Sequence, residues 1–206
     1  MSSYLRLALG ILPGLFLFGC SNTDKKNPLV TETESVEIEL SVPHSEGKKS
    51  IYLGCDSKPI SVIFHNNTDS IVRMYEDWNS WGYYNISFEI TTNDSIYILQ
   101  KGPGGWWKNF PSYNAINPGE SLVFNFVLED SFCFPHRKVI RGSYRGWNGL
   151  PHKNYDSAKI RVLYELKDGI SLQMVDSVTA KDPALQRSFL SGLTSKQYDV
   201  RIVSTF

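Results

Sequence analysis

Apolar and polar residues alternate with a period of two along most of the chain beyond residue 35, and this pattern limits the possible folds more than any other feature. In the clearest example, residues 158–166, the apolar side chains of Ala158, Ile160, Val162, Tyr164 and Leu166 are separated by mostly polar ones. Successive side chains of a strand point to opposite faces, so the pattern predicts strands with one buried and one solvated face. The same reasoning predicts strands at residues 36–42, 60–64, 71–75, 84–90, 96–99, 122–128 and 198–202.

Turn residues separate these predicted strands. Asn66-Asn67-Thr68-Asp69, Asn93-Asp94 and Asn117-Pro118-Gly119 are typical of tight connections. We expect one short helix near the C-terminus, capped by Asp182 and ended by Gly192. Short strands with one solvated face each predict an all-β fold, an immunoglobulin-like antiparallel β-sandwich over residues 35–206.

The first twenty residues follow a different pattern. One cation, Arg6, precedes an apolar stretch from Leu7 to Phe18. This stretch is too short to cross a hydrocarbon core of about 30 Å as a helix. A charged start, an apolar middle and a small residue before a cut are typical of a secretory signal. Leu17-Phe18-Gly19-Cys20 resembles the lipobox of bacterial lipoproteins.

The lipobox resemblance implies a signal peptide over residues 1–19 and acyl chains, palmitate among them, on Cys20. Residues 20–34 would then be the lipidated cysteine and a flexible tether, since they are polar and lack periodicity. Ser21, in place of a retention aspartate, implies the outer membrane, facing the periplasm or the cell surface. A plain secretory peptide, with Cys20 incidental, stays open as an alternative.

The charge balance limits the partners. The chain carries 21 basic and 21 acidic side chains, whereas a nucleic-acid binder needs a basic surface to neutralise phosphates. Removing residues 1–19 takes away one cation, Arg6, so charge would not hold the mature protein to an anionic membrane. We therefore expect attachment through the acyl chains on Cys20 and no nucleic-acid partner.

The chain has three cysteines. If Cys20 is acylated, Cys55 and Cys133 remain, and in an oxidising compartment they are expected to form a disulfide. On the chain-entropy model, closing so long a loop stabilises the fold by roughly 4 kcal/mol. Two free buried thiols are the alternative.

Aromatic residues are concentrated beside the loops. All five tryptophans and a tyrosine near them lie in or next to connections rich in Gly, Asn and Pro: Trp78, Trp81, Tyr83, Trp106, Trp107 and Trp147. Flat rings beside hydrogen-bonding groups suit sugar rings or peptide side chains. The same rings could instead fold back and anchor the loops. They are therefore candidate binding residues for an envelope glycan or protein, with anchoring as the competing interpretation.

Catalytic and metal-binding patterns are weak. The chain has no Gly-x-Ser-x-Gly elbow, and its four histidines lack ligand spacing. Residues 77–82 imitate the start of a calcium loop, but Phe88 occupies the position of the bidentate glutamate. The glycine-rich residues 101–105 lack the lysine and hydroxyl of a phosphate loop. We expect no enzyme, no metal and no cofactor.

Three segments carry a further resemblance. WGYYNISFEI (81–90), WWKNFPS (106–112) and INPGESLVF (116–124) are similar to segments of uncharacterised secreted bacterial proteins. The strand–turn–strand pattern also resembles the BsuPI-like proteinase inhibitor group. These resemblances imply an immunoglobulin-like domain that binds or scaffolds something at the envelope. The alternatives are a carbohydrate-binding module, or an inhibitor that presents the loop from Lys101 to Ser112.

Overall fold

Strand pairing divides the chain into two sheets and one two-stranded ribbon. The computed structural model describes residues 35–104, 112–130, 133, 146–166 and 188–206, which belong to a unit spanning Glu34–Phe206. The strands in these ranges are β1 (Val36–Ser41), β2 (His44–Ser45), β3 (Lys48–Gly54), β4 (Ile60–Asn66), β5 (Val72–Tyr75), β6 (Ile86–Thr91), β7 (Ile96–Lys101), β8 (Tyr113–Ile116), β9 (Ser121–Phe126), β10 (Trp147–Asn148), β11 (Tyr155–Tyr164), β12 (Leu193–Thr194) and β13 (Tyr198–Thr205).

All eight segments with predicted alternation contain strands, which confirms the all-β prediction. The smaller sheet has the order β1-β4-β9, and the larger has the order β10-β7-β6-β11-β13-β3-β2, with β12 beside β11. Strands β5 and β8 form the separate ribbon, in which Tyr75 lies opposite Tyr113.

The prediction of purely antiparallel sheets was wrong at one pair. Strand β13 runs parallel to β3, with Ile202 opposite Ile51. Parallel neighbours need a long connection, and these two strands are separated by most of the domain. The alternation of β3 was also not recognised, because adjacent residues such as Ser50 and Ile51 are both buried.

The two sheets share one hydrophobic core. Phe64 of the smaller sheet packs edge-on against Tyr164 of the larger one, with ring centroids 5.5 Å apart. Phe126 and Phe88 form a second such pair at 5.8 Å. The Tyr198 hydroxyl lies in the same interior, where it accepts a hydrogen bond from the Leu40 amide at 3.0 Å. These contacts fix the sheets against each other and place the loops at their ends.

Several predicted segments lie outside the described residues: the signal peptide, Cys20 and its tether, Trp106 and Trp107, and most of the predicted C-terminal helix. The described end of that helix, 188–192, is not helical. Phe189 instead forms a parallel bridge with Arg73, because the Arg73 amide donates to the Ser188 carbonyl at 2.8 Å. Among the described residues, no helix is long and apolar enough to cross a membrane.

Candidate functional site

A disulfide joins Cys55, directly after β3, to Cys133, in the segment that follows β9. Their Cα atoms lie 5.0 Å apart, consistent with the predicted pairing. The Gly54 amide donates to the Leu128 carbonyl at 3.1 Å beside it. The crosslink therefore connects the two sheets at the ends of strands, where a covalent tie restrains the loops that follow.

Three of the candidate aromatic residues are buried. Trp147 is 1% exposed and packs against Phe88 and Phe126, with ring centroids 5.2 and 5.7 Å away. Trp81 is 7% exposed and Tyr83 is 5% exposed. A ring whose faces are covered by core atoms has no surface for a ligand, so the anchoring interpretation fits these three and the contact-surface interpretation does not. Trp147 is buried because its strand β10 pairs with β7 of the larger sheet, which directs the indole inward.

Two buried asparagines build the loop between β5 and β6. Asn79 accepts from the amides of Trp81 and Gly82 at 3.0 and 3.1 Å, and its own amide group donates to Ser112. Asn85 donates to the Trp81 carbonyl at 2.8 Å. A Cβ atom on Gly82 would lie 2.1 Å from the Glu76 carbonyl oxygen, so only glycine fits there. The residues that resembled a calcium loop thus hold their own backbone.

Trp78 has the opposite environment to Trp81, although only two residues separate them. Its ring is 45% exposed, and its indole nitrogen donates to the Glu76 carboxylate. The Ser112 hydroxyl donates to the same carboxylate oxygen. We call these three residues, Glu76, Trp78 and Ser112, the Trp78 surface.

The ribbon carries a separate aromatic layer. Phe189 stacks on Tyr75 with centroids 4.8 Å apart and meets Tyr113, which is 40% exposed, edge-on at 5.3 Å. Burial raises the pKa of Tyr75 to about 12, so its hydroxyl stays protonated. The Tyr113 ring is therefore held against packed aromatic side chains, which limits the conformations it can adopt.

A buried cation lies next to the same loop. Lys101 ends β7, and its side chain is only 2% exposed. Its amine lies 3.2 Å from Asp77 Oδ2, 4.6 Å from the ring centroid of Tyr83 and 5.1 Å from that of Phe126. Burial lowers the pKa of Lys101, and the charge of Asp77 partly opposes that shift. The sequence patterns placed Lys101 in a glycine-rich turn and at the start of the loop that an inhibitor would present, but did not indicate a buried ion pair.

A serine, a histidine and a glutamate meet on the outer face of the smaller sheet. Ser121 Oγ lies 2.7 Å from His65 Nδ1, and His65 Nε2 lies 3.2 Å from Glu39 Oε2. His65 and Ser121 are direct cross-strand partners, and both contacts are solvent-exposed. An exposed strand face neither excludes water nor holds a substrate, so we assign these bonds to strand pairing rather than catalysis.

Comparison with known proteins adds little. No family model matches the chain, and no curated protein does. Among solved structures the chain is similar to AvmM, which catalyses macrocyclization in alchivemycin A biosynthesis, with 10% identity and a TM-score of 0.27. The alignment covers 84% of this chain and 93% of that one. A likeness this low carries no argument about fold or activity. Within the described residues, no group of three or more His, Cys, Asp or Glu side chains could hold a metal ion.

Proposed function

We propose that the protein is a non-enzymatic, lipid-anchored protein of the bacterial cell envelope whose β-domain binds a partner through the Trp78 surface. The lipobox-like residues that end at Cys20 support the anchor and the outer-membrane location. The polar residues 21–34 support a tether that lets the domain reach its partner. Membrane attachment then needs only the acyl chains.

The observation that carries the binding role is the exposed Trp78 ring. A hydrogen bond to Glu76 fixes the indole although almost half of the ring faces solvent. Rigid exposed aromatic residues contribute strongly to recognition, because they lose little conformational freedom on binding. Among the described tryptophans, Trp78 alone offers such a face, since Trp81 and Trp147 are buried.

We further propose that the domain is an immunoglobulin-like sandwich. The order β1-β4-β9 corresponds to strands A, B and E of that fold, and β6-β11-β13 corresponds to C, F and G. In such domains the loops at the sheet ends commonly carry binding. The loop with Trp78 joins β5 to β6 and lies at one of these ends.

An envelope glycan is the second candidate for the partner. Sugar rings have apolar faces and polar edges, which matches an exposed indole beside a carboxylate and a hydroxyl. The Trp78 surface has this composition. The inhibitor alternative stays a separate prediction, because most of its loop, residues 105–111, lies outside the described residues, although Lys101 at the start of the loop is buried. If the protein inhibits none of the proteases in a panel, the inhibitor alternative is excluded.

Tryptophan fluorescence tests the binding role. Soluble peptidoglycan fragments and chitooligosaccharides are titrated against the full chain, and we expect quenching with at least one of them. Trp78→Ala should abolish the response, and Ile96→Ala, at another exposed apolar side chain, should preserve it. Binding retained by Trp78→Ala would overturn the assignment to this surface. No response across the panel would remove the glycan candidate.

Labelling with a palmitate analogue tests the anchor separately. Wild-type protein expressed in a two-membrane bacterium should take up the label and fractionate with the outer membrane. Cys20→Ala should take up none and appear in the soluble periplasmic fraction. An unlabelled wild-type chain would contradict the lipoprotein proposal and leave the binding proposal standing.

A further inference from the structure

The buried amine of Lys101 and the carboxylate of Asp77 are positioned as reactants as well as an ion pair. Lys101 Nζ lies 3.2 Å from Asp77 Oδ2, so the amine is in direct contact with the carboxyl group whose carbon it would attack, and holding two groups together in this way favours their reaction. Lys101 is fixed by β7, where it pairs with Trp147 of β10. Asp77 is fixed by the loop whose neighbouring residues bond to Ser112.

Burial of the Lys101 amine favours the neutral form over the ammonium. The rings of Tyr83 and Phe126 lie 4.6 and 5.1 Å from Lys101 Nζ and exclude water from it. Burial therefore lowers the pKa of Lys101 and increases the population of the neutral, nucleophilic amine. An amide between the two side chains would carry no charge, so it would avoid the cost of keeping a desolvated ammonium in the core.

We propose that Lys101 and Asp77 condense to an intramolecular isopeptide bond. Within the pair, one proton passes from the ammonium to the carboxylate, and the neutral amine attacks the carboxyl carbon. The C–N bond forms and one carboxyl C–O bond breaks. The departing oxygen leaves as water with the two protons that the ammonium gave up, so no oxidant, reductant or co-reactant is needed. Asp77 is 39% exposed, which gives that water a route to solvent.

The bond would tie the loop that carries Trp78 to the end of β7. Asp77 immediately precedes Trp78, so a covalent link at Asp77 would restrict the base of the exposed ring. This proposal is independent of the partner of the Trp78 surface, since the condensation needs only the two side chains and their surroundings.

A second Lys–Asp pair provides an internal control. Lys153 Nζ lies 2.7 Å from Asp94 Oδ2, which is closer than the buried pair. Both side chains are more than half exposed, at 59% and 53%, and the pKa of Lys153 is raised by its hydrogen bond to Asp94. Solvent stabilises both charges there, so this pair should remain ionic. If proximity alone were sufficient, both pairs would form a crosslink. If burial of the lysine amine is required, only Lys101 and Asp77 will.

Tryptic mapping of the reduced full chain tests the proposal directly. No lysine or arginine lies between Arg73 and Lys101, and the next one is Lys108. Trypsin does not cut after an acylated lysine. We therefore expect peptide 74–108, lighter than its sequence mass by one water, to replace peptide 74–101. Fragment ions should place the link between Asp77 and Lys101.

Variants and the exposed pair define the outcomes. Asp77→Ala and Lys101→Arg should each remove the mass loss, and Asp94→Ala should keep it. A wild-type peptide 74–101 at full sequence mass would overturn the proposal, and this result needs no variant to fold. Loss of water with cleavage after Lys101 retained would also overturn it, because that result identifies a cyclic imide at an aspartate. A water loss retained by Asp77→Ala would do the same.

Discussion

The protein contains two trios of the same chemical composition, a lysine, an aspartate and an aromatic ring, in opposite environments. In the buried trio Lys101 lies 3.2 Å from Asp77 and 4.6 Å from the Tyr83 ring centroid. In the exposed trio Lys153 lies 2.7 Å from Asp94 and 4.9 Å from the Tyr155 ring centroid. The contact distances differ little, and the exposed trio has the shorter ion pair.

Burial reverses the electrostatics of the two lysines. The pKa of Lys101 is lowered, because desolvation outweighs the charge of Asp77. The pKa of Lys153 is raised, chiefly by its hydrogen bond to Asp94, and the pKa of Asp94 is lowered by the same bond. Access of water to the lysine, rather than the contact distance, therefore decides the direction of its pKa shift in these two pairs.

The largest expected effect comes from removing the buried ring of Trp147, the strand partner of Lys101. Trp147→Ala deletes a fully buried indole that packs against Phe126 and should destabilise the domain by about 3–5 kcal/mol. Tyr155→Ala, which removes the ring of the exposed trio, should shift the urea midpoint far less. Equal shifts of the urea midpoint for the two variants would contradict the expectation that the buried ring contributes more to stability than the exposed one.

Removing the aspartate from each pair gives the next largest effect. Asp77→Ala removes the proposed isopeptide bond and leaves the Lys101 amine buried without a partner. Losing one partner of a fully buried pair costs about 3–5 kcal/mol, and because Asp77 is 39% exposed we expect a loss of at least about 2 kcal/mol. Asp94→Ala should change the free energy of unfolding much less, because solvent replaces the lost partner. Urea unfolding at neutral pH measures both, and a larger loss for Asp94→Ala would contradict the argument.

The sequence predicted the strands around the two Lys–Asp pairs but not the pairs themselves. Alternation located β6, β7 and β11, because burial of one strand face leaves a period of two. In β7, however, both faces carry apolar residues, and the buried Leu99 and half-buried Tyr97 share the inner face with Lys101. That shared parity is the one signal that could have placed the lysine inside. The two Lys–Asp contacts join residues far apart in the chain, and no local pattern predicts them.

The tryptophans show the same limit. Their concentration beside loops was visible, yet Trp78 and Trp81 have opposite exposures because the side chain of Asn79 holds the backbone between them. Trp147 lies on a two-residue strand, which is too short to show a period. In each case a long-range or side-chain-to-backbone hydrogen bond decides the environment, and composition does not encode it.

Acidification should separate the exposed pair from the rest of the domain. The pKa of Asp94 is lower in the folded chain than its unfolded value of about 3.9, so its contribution to stability is present above that value. The contribution is lost as the pH falls through the folded pKa. We therefore expect the small difference in urea midpoint between wild type and Asp94→Ala to persist at neutral pH and to shrink as the pH falls below about 3.9. A difference that grows on acidification would contradict the direction of this shift.

The smallest effect is expected at the exposed tryptophan, and it extends the comparison from charges to rings. Trp78 and Trp147 are the same residue, but Trp78 keeps 45% of its surface in water, and its bond to Glu76 is made at an exposed site. In Trp78→Ala the Glu76 carboxylate still accepts from the Ser112 hydroxyl, so no polar group is stranded. The free energy of unfolding should stay within about 0.5 kcal/mol of wild type, as at other surface positions. A loss comparable to that of Trp147→Ala would mean that Trp78 holds the loop in place, and the exposed ring would then be an anchor and not a contact surface.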